Sequence, residues 1–432
     1  MGKLESRIEK RPDAAALDEV AGAGRLPCRF CGAALRRSVV DLGMSPLCES
    51  FLAADELDRM EPFYPLNVRI CGECLLVQLP EYVAPEAIFT EYAYFSSYSD
   101  SFVQHAADYV AHMVDRLRLD DESFVVELAS NDGYLLQHFV ERSVPVLGVE
   151  PARNVAAAAV ERGVPTLIAF FGKETADELA HEGRTADLII ANNVLSQAPH
   201  LNDFVAGMKA LLAPQGTATV EFPHLMQLIE ANLFDTIYHE HFTYFSLNTA
   251  ERVFAAHGLT VVDLDEISTH GGSLRLYLEH AERGHRPSAE VEAFRRREKL
   301  AGLGSFETYR AFRARIEETK RALLDFLISA RRGGKTVAGY GAPGKANTLL
   351  NYCGIRSDLL EYTVDRNPYK HGRFTPGTHI PIHPPEWLAK TKPDLIWIMP
   401  WNLQDEIAAQ LAYAREWSGR FFVAVPELTV LP

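Results

Sequence analysis

The stretch FVVELASNDGYLLQHFVE, running from Phe124 to Glu141, changes its periodicity half-way. FVVELA is β-branched, aromatic or aliphatic apart from Glu127 and reads as a strand. Ser130-Asn131-Asp132-Gly133 then supplies turn residues, and YLLQHFVE opens a helix. A strand that passes through a short turn into a helix is the opening unit of a doubly wound α/β sheet. Moving outward, VLGVE (146–150), PTLIAFF (165–171), ADLIIANNV (186–194) and GTATVEF (216–222) repeat the alternation of strand and helix. Ligands of such sheets bind at the carboxyl ends of the strands, beside the point where strand order reverses.

Two acids refine that expectation. Glu127 lies in the first strand, and Glu150 ends the second, 23 residues later. An acid at the end of the second strand can accept hydrogen bonds from two ribose hydroxyls. The turn between them, ELASNDG, is not GxGxxG and lacks the spaced glycines that let a backbone approach a pyrophosphate. A cofactor with adenosine and ribose but no pyrophosphate fits, and S-adenosylmethionine (SAM) is the obvious one. A doubly wound domain with an unrelated ligand is the alternative.

The whole chain has 432 residues, enough for three domains at about 100–200 residues each. Apolar residues make up 47% and charged residues 23%, an ordinary globular balance. A net charge of −15 repels polyanions and argues against a nucleic-acid binder. No apolar run reaches the roughly 18–20 residues that span a bilayer, so no membrane partner is expected. The segment before Arg25 alternates charges without an apolar core and reads as a leader with at most one helix. Gly2 with Ser6 matches a myristoylation pattern, but no basic patch or second anchor follows. The expected location is cytoplasmic, where thiols stay reduced.

Four of the six cysteines form two knuckles, Cys28-Arg29-Phe30-Cys31-Gly32 and Cys71-Gly72-Glu73-Cys74, with 39 residues between Cys31 and Cys71. Two CxxC turns can complete a tetrahedral shell of four thiolates around Zn²⁺. A reducing compartment weakens a disulfide reading, and the doubled spacing weakens chance. Four thiolates leave no open position, so the metal is expected to be structural. Cys48 and Cys353 read as ordinary thiols. After the fifth strand, Tyr238, His239, Glu240 and His241 concentrate in a polar-aromatic stretch, where histidine can act as a base and tyrosine as a donor to an oxyanion. If the stretch is extended, His239 and His241 share a face and a metal site is conceivable, and a cluster of capping and packing groups is the plain reading. Further on, a charged helical stretch (286–332) leads to KTVAGYG (335–341), LEYTVD (360–365), LIWIMP (395–400) and RFFVAVP (420–426), a second α/β unit. Its GYGAPGKAN places glycines and Lys345 between strand and helix. This reads as a phosphate cradle or as a tight turn, and PGTHIPI with Arg373 nearby favours the cradle.

At this point the residues resemble a known family, the SAM-dependent sugar C-methyltransferases of deoxysugar biosynthesis that act on dTDP-linked 4-keto sugars. The matching stretches include CRFCG…CGEC, VVDLGMSPL, EYAYFSSYS, ELASNDGYLL, GVEPARNVA, FDTIYHEHFTYFS, THGGSLR, GYGAPGKANTLLNYCGI and MPWNL, spanning Cys28 to Pro432. The resemblance implies a small zinc-binding domain (25–84) held by Cys28, Cys31, Cys71 and Cys74. It implies a Rossmann-like SAM methyltransferase domain (85–285) and a Rossmann-like sugar-nucleotide domain (286–432). It implies that His241 is the base, framed by Tyr238 and Glu240, with Tyr92 near the methyl group. For SAM it points to Ala129, Asn131 and Gly133 at the first turn, Glu150 and Pro151 at the ribose, Phe171 near adenine, and Asn192 towards the sulfonium. For the dTDP-4-keto-deoxysugar it points to Gln197, His239, Gly344, Lys345, Asn347 and Arg373. The implied reaction is methylation at a carbon beside the ketone, C3 or C5, with C3 expected.

The chain departs from the family at Gln197, where a histidine is usual. Glutamine hydrogen-bonds but carries no proton at neutral pH, so any proton role falls to His241. A tolerated polar swap, a changed specificity, and a pocket retuned towards hydride chemistry all remain open. An NADPH-dependent ketoreductase and a non-catalytic sugar-nucleotide binder are the rival functions, and no GxGxxG supports the first.

Overall fold

Strand-forming residues gather into three sheets in the computed structural model, which describes residues 26–90, 95–98 and 100–431. The leader and Tyr92 lie outside the described residues. Near the N-terminus, β1 (Arg37–Ser45), β2 (Tyr64–Ile70) and β3 (Val77–Gln78) run antiparallel in that order. The fourth strand of this sheet comes from the central region.

The central sheet uses β4 (Val125–Leu128), β5 (Val146–Val149), β6 (Thr166–Leu167), β7 (Ala186–Asn192) and β8 (Leu212–Pro223), all parallel. After β9 (Thr243–Tyr244), β10 (Leu259–Ile267) and β11 (Ser273–His280) add an antiparallel edge, giving the order β10-β11-β8-β7-β4-β5-β6. Strands buried on both faces must be apolar along their length, and Val125, Val126 and Leu128 are fully buried in β4. The expected strand 165–171 is cut to two residues. β6 is the sheet edge, where Ile168 and Phe170 are exposed and a short strand limits unwanted pairing. Chain order reverses between β4 and β7, so their carboxyl ends mark the ligand crevice.

The charged stretch forms two helices, Ala289–Leu300 and Phe306–Arg332. They lead to β12 (Val337–Tyr340), β13 (Tyr362–Val364), β14 (Ile382–His383), β15 (Leu395–Ile398), β16 (Arg420–Val423) and β17 (Thr429–Val430). The order is β14-β13-β12-β15-β16-β17, parallel except for β17. This mixed α/β architecture, with a cysteine cluster at one end and a further sheet at the other, is the class read from the sequence.

The three sheets are stitched together. β9 leaves the central region and pairs with β3, Val77 opposite Tyr244, so the four residues before it are hooked to the N-terminal sheet. Arg313 on the long helix donates to the carbonyl of Val39 at 3.0 Å, and Asn347 donates to that of Cys48 at 2.6 Å. No described helix is long and apolar enough to cross a membrane.

Candidate active site

The turn after β4 is built from left-handed backbone. Ala129, Asn131 and Gly133 have φ of +56°, +50° and +75°. Gly133 is required, because a Cβ there would sit 3.0 Å from Val164 Cγ2 in addition to the positive φ. The turn wraps the Glu150 carboxylate. Oε2 accepts from the Asn131 amide at 3.0 Å, and Oε1 accepts from the Ala152 amide at 2.8 Å. Each oxygen keeps a lone pair for a ribose hydroxyl. Burial pushes the Glu150 carboxyl up, while the two amides pull it back. Glu127 beneath it is buried too. Burial first, then the charges of Glu150 and Asp132, drives its carboxyl well above the usual range.

Around this turn, Ser130 Oγ and Asn192 Oδ1 are buried without a hydrogen-bond partner among the described residues. Buried polar atoms are normally paired, so a polar ligand across the ends of β4 and β7 fits them. Ser96 and Ser97 lie on the same turn. The Ser96 amide donates to Asn131 Oδ1 at 3.0 Å, and Arg162 pairs with Asp132 at 2.8 Å. Pro151 follows Glu150, half-buried. Phe171 is half-buried with its ring edge-on to Phe204 at 5.3 Å.

Tyr238–His241 is a β-turn rather than an extended segment, because the His241 amide donates to the Tyr238 carbonyl at 3.0 Å. Residues one and four of a turn lie side by side, so the Tyr238 and His241 rings pack with centroids 4.1 Å apart and planes tilted by 34°. His241 Nδ1 donates to the Thr236 carbonyl at 3.0 Å, which leaves the lone pair on Nε2. Desolvation brings His241 down to about 4, so at neutral pH it is an unprotonated base. Burial raises the Tyr238 phenol well above its usual value and keeps it an O–H donor.

The two middle residues of the turn face elsewhere. His239 lies against the N-terminal sheet, Nε2 donating to the Pro65 carbonyl at 3.2 Å with its ring edge-on to Tyr64. Glu240 is buried and accepts from the Cys48 thiol at 3.4 Å. The shared face imagined for His239 and His241 is thus corrected, and with it the conceivable metal site between them. His239 points away from the cleft where substrate contact was expected.

Metal-ligand geometry exists elsewhere. The sulfurs of Cys28, Cys31, Cys71 and Cys74 lie within 4.8 Å of one another, Cys28 to Cys74 at 3.6 Å and Cys31 to Cys71 at 3.5 Å. A zinc tetrahedron with bonds of about 2.3 Å has sulfur–sulfur edges of about 3.8 Å, so the four thiols fit the ion. Gln78 Nε2 donates to Cys28 Sγ at 3.1 Å and supports the set from the second layer.

Three family models match in sequence along the chain. A zinc binding domain covers residues 28–89, a methyltransferase domain 102–264, and a C-methyltransferase C-terminal domain 268–426. C-methyltransferase NovU of Streptomyces niveus is 36% identical over 404 residues, 94% of this chain and 96% of that one. The chain belongs to this C-methyltransferase family. Among solved structures, the PH0226 protein of Pyrococcus horikoshii OT3 is 14% identical, with a TM-score of 0.36 over 45% of this chain and 97% of its own. Magnesium protoporphyrin IX methyltransferase of Synechocystis PCC 6803, with bound SAM, is also 14% identical, with a TM-score of 0.31 over 41% and 78%.

The second strand-turn-helix of this SAM-dependent C-methyltransferase departs from the phosphate cradle read into GYGAPGKAN. The Ala342 amide donates to Asp365 at 2.7 Å, and the Gly344 amide bonds the half-buried carboxylate of Glu49. Two carboxylates already hold the amides a phosphate would use. Gly344 leaves room for the 48–49 loop, since a Cβ would lie 2.8 Å from Cys48 Sγ. Asn347 is buried in its bond to Cys48, and Arg373 is exposed with a bond to the Phe51 carbonyl at 3.3 Å. Lys345 alone faces the cleft, its ammonium 4.4 Å from the Trp401 ring and bonded to Asn402.

Sequence reasoning passed over the cleft wall opposite His241. Glu221, at the end of β8, is buried and takes Arg275 at 2.9 Å and Thr269 at 3.0 Å. Burial would raise it, but His105, Arg275 and His270 together hold it at about 2. Asp235 is buried against the Trp401 indole N–H at 2.7 Å, and burial lifts it to about 6. Arg275 and His270 lie in THGGSLR and Trp401 in MPWNL, stretches that carried the resemblance without an assigned role. Gln197 sits on the short turn Leu195–Gln197, whose Ser196 carbonyl accepts from the Phe242 amide at 2.8 Å, so it neighbours the His241 turn.

Proposed function

We propose that this C-methyltransferase transfers a methyl group from SAM to C3 of a dTDP-linked 4-keto-deoxysugar, in building a deoxysugar for a glycosylated natural product. The observation that carries the reading is the packed Tyr238–His241 pair, which puts a neutral imidazole with a free Nε2 beside a protonated phenol. A C–H bond next to a ketone is acidic because its electron pair can move onto oxygen, so its methylation needs a base at the proton and a donor at the oxygen.

His241 Nε2 takes the proton from C3, the C–H pair becomes the enolate, and the Tyr238 hydroxyl frames the site. When bound, SAM supplies the methyl group that the nucleophilic carbon takes. Glu150 holds the ribose, the left-handed turn at Ala129, Asn131 and Gly133 holds the methionine end, and Asn192 faces the reacting end. Lys345 is the cation that meets the anionic sugar nucleotide. Tyr92, outside the described residues, is read as an aromatic group near the methyl. The functional units are 25–84 for zinc, 85–285 for SAM and 286–432 for the sugar nucleotide. The protein is read as cytoplasmic.

Incubation of the purified protein with SAM and dTDP-4-keto-6-deoxyglucose tests this. The expected product is heavier by one methylene, with the new methyl signal on C3 by NMR. A gain of two hydrogens with NADPH, and none with SAM, would replace the reading with ketone reduction.

A further inference from the structure

His270 stands apart from its neighbours in backbone and in setting. Its φ and ψ are 55° and 21°, left-handed for a residue with a full side chain, and it precedes Gly271 and Gly272 at φ of +86° and +121°. Strain of this kind costs of order 1–3 kcal/mol and persists only where the surroundings hold it. Here they do. The Thr269 hydroxyl is bonded to Glu221, the Gly272 amide to the Thr269 carbonyl at 2.9 Å, and the Gly272 carbonyl to the His224 amide at 3.0 Å. Gly271 is locked against Leu233 and Trp401, where a Cβ would lie 2.6 Å and 2.7 Å from their side-chain atoms.

This clamp turns an imidazole into the cleft. The residue is solvent-accessible, its ring stands edge-on to Phe102 at 6.1 Å, and no hydrogen-bond partner for the ring is found among the described residues. It lies within electrostatic reach of His241, Glu221, His105 and Lys345. Desolvation by the cleft walls holds the ring below its ordinary value despite Glu221, so at neutral pH it is neutral and keeps one N–H.

Resting on the keto-sugar reading above, we propose that His270 is a further catalytic residue, an N–H donor to the ketone oxygen on which charge develops as His241 removes the proton. The two histidines then divide the work. His241 receives the proton, and His270 stabilises the electron pair that the broken C–H bond leaves on oxygen. A neutral donor suits this, because it binds the developing oxyanion without competing for the proton. The chain also has glutamine at 197, so the second imidazole of this cleft reaches it from the THGG turn.

The test isolates proton removal from methyl transfer. Dissolved in D2O with dTDP-4-keto-6-deoxyglucose and no SAM, the full chain should exchange the C3 hydrogen for deuterium, read by NMR. His270→Gly keeps the left-handed backbone and removes the ring, and should slow exchange by about 100-fold or more, the usual cost of one oxyanion donor. His270→Asn, which also tolerates that backbone and restores an N–H, should recover at least about tenfold of the loss. SAM affinity and the melting temperature of both variants should match wild type. Exchange by His270→Gly within about threefold of wild type, or no recovery by His270→Asn, overturns the role of His270 alone. Wild type that neither exchanges nor methylates this substrate overturns the keto-sugar reading and the inference with it.

Discussion

The chain makes the same local structure twice, a parallel strand running through a tight turn into a helical segment, and uses it for opposite ends. After β4, Ser130 Oγ and nearby Asn192 Oδ1 are buried without partners among the described residues, and the Glu150 carboxylate keeps lone pairs beyond its two amide bonds. After β12, the Ala342 and Gly344 amides are held by Asp365 and Glu49, and Gly344 lies against Cys48. The first turn retains the capacity to bind, and the second is consumed in docking the N-terminal domain to the C-terminal one. A strand-turn-helix therefore fixes where a ligand could sit, while side chains arriving from distant sequence decide whether one can.

Removing a zinc ligand tests the contrast most severely, because Cys48 and Glu49 belong to the N-terminal domain. Structural zinc contributes about 10–16 kcal/mol of apparent binding energy in small domains. Cys71→Ser should lower zinc content from about one ion per chain and melt the N-terminal sheet first, seen as a new early transition in calorimetry. SAM affinity should survive, since the first turn is held by Glu150 and Ser96 rather than by zinc ligands, whereas methylation should fall because β9 ties the His241 turn to β3.

Glu150→Ala attacks the first turn directly. It removes a charged acceptor for two hydroxyls and should weaken SAM binding by about 1.5–3 kcal/mol, roughly 10- to 150-fold by calorimetry. An unchanged affinity would erase the distinction between the turns. Gly344→Ala addresses the second. The added methyl meets Cys48 Sγ at 2.8 Å, and overpacking of this kind costs about 1–3 kcal/mol. Thermal unfolding should shift down by several degrees with SAM affinity unmoved.

Much of this was legible in the sequence for physical reasons. Parallel strands buried on both faces must be apolar runs, so β4, β5, β7 and β12 stood out, and two CxxC turns have few purposes other than a metal. What escaped reading depended on long-range placement. Nothing local in GYGAPGKAN announces that Glu49, nearly 300 residues earlier, bonds the Gly344 amide. Whether Tyr238–His241 runs extended or turns was open from sequence, because its aromatic and polar residues carry no Gly or Pro to mark the bend. His270 was hidden because its value lies in a backbone angle that only the packing of Gly271 against Trp401 imposes. Two glycines after a histidine were the available signal.

The most direct test of the account is the rate of methylation by His241→Asn, with SAM and dTDP-4-keto-6-deoxyglucose, beside its SAM affinity. General-base catalysis contributes about 10²–10⁴-fold, so the rate should fall by that much while SAM binds as in wild type. In the wild type, kcat/KM should hold down through pH 6.5 and decline only as the pH approaches about 4, because protonation of Nε2 removes the base. Undiminished methylation by His241→Asn would contradict the assignment of the base and, with it, the catalytic reading of the Tyr238–His241 turn.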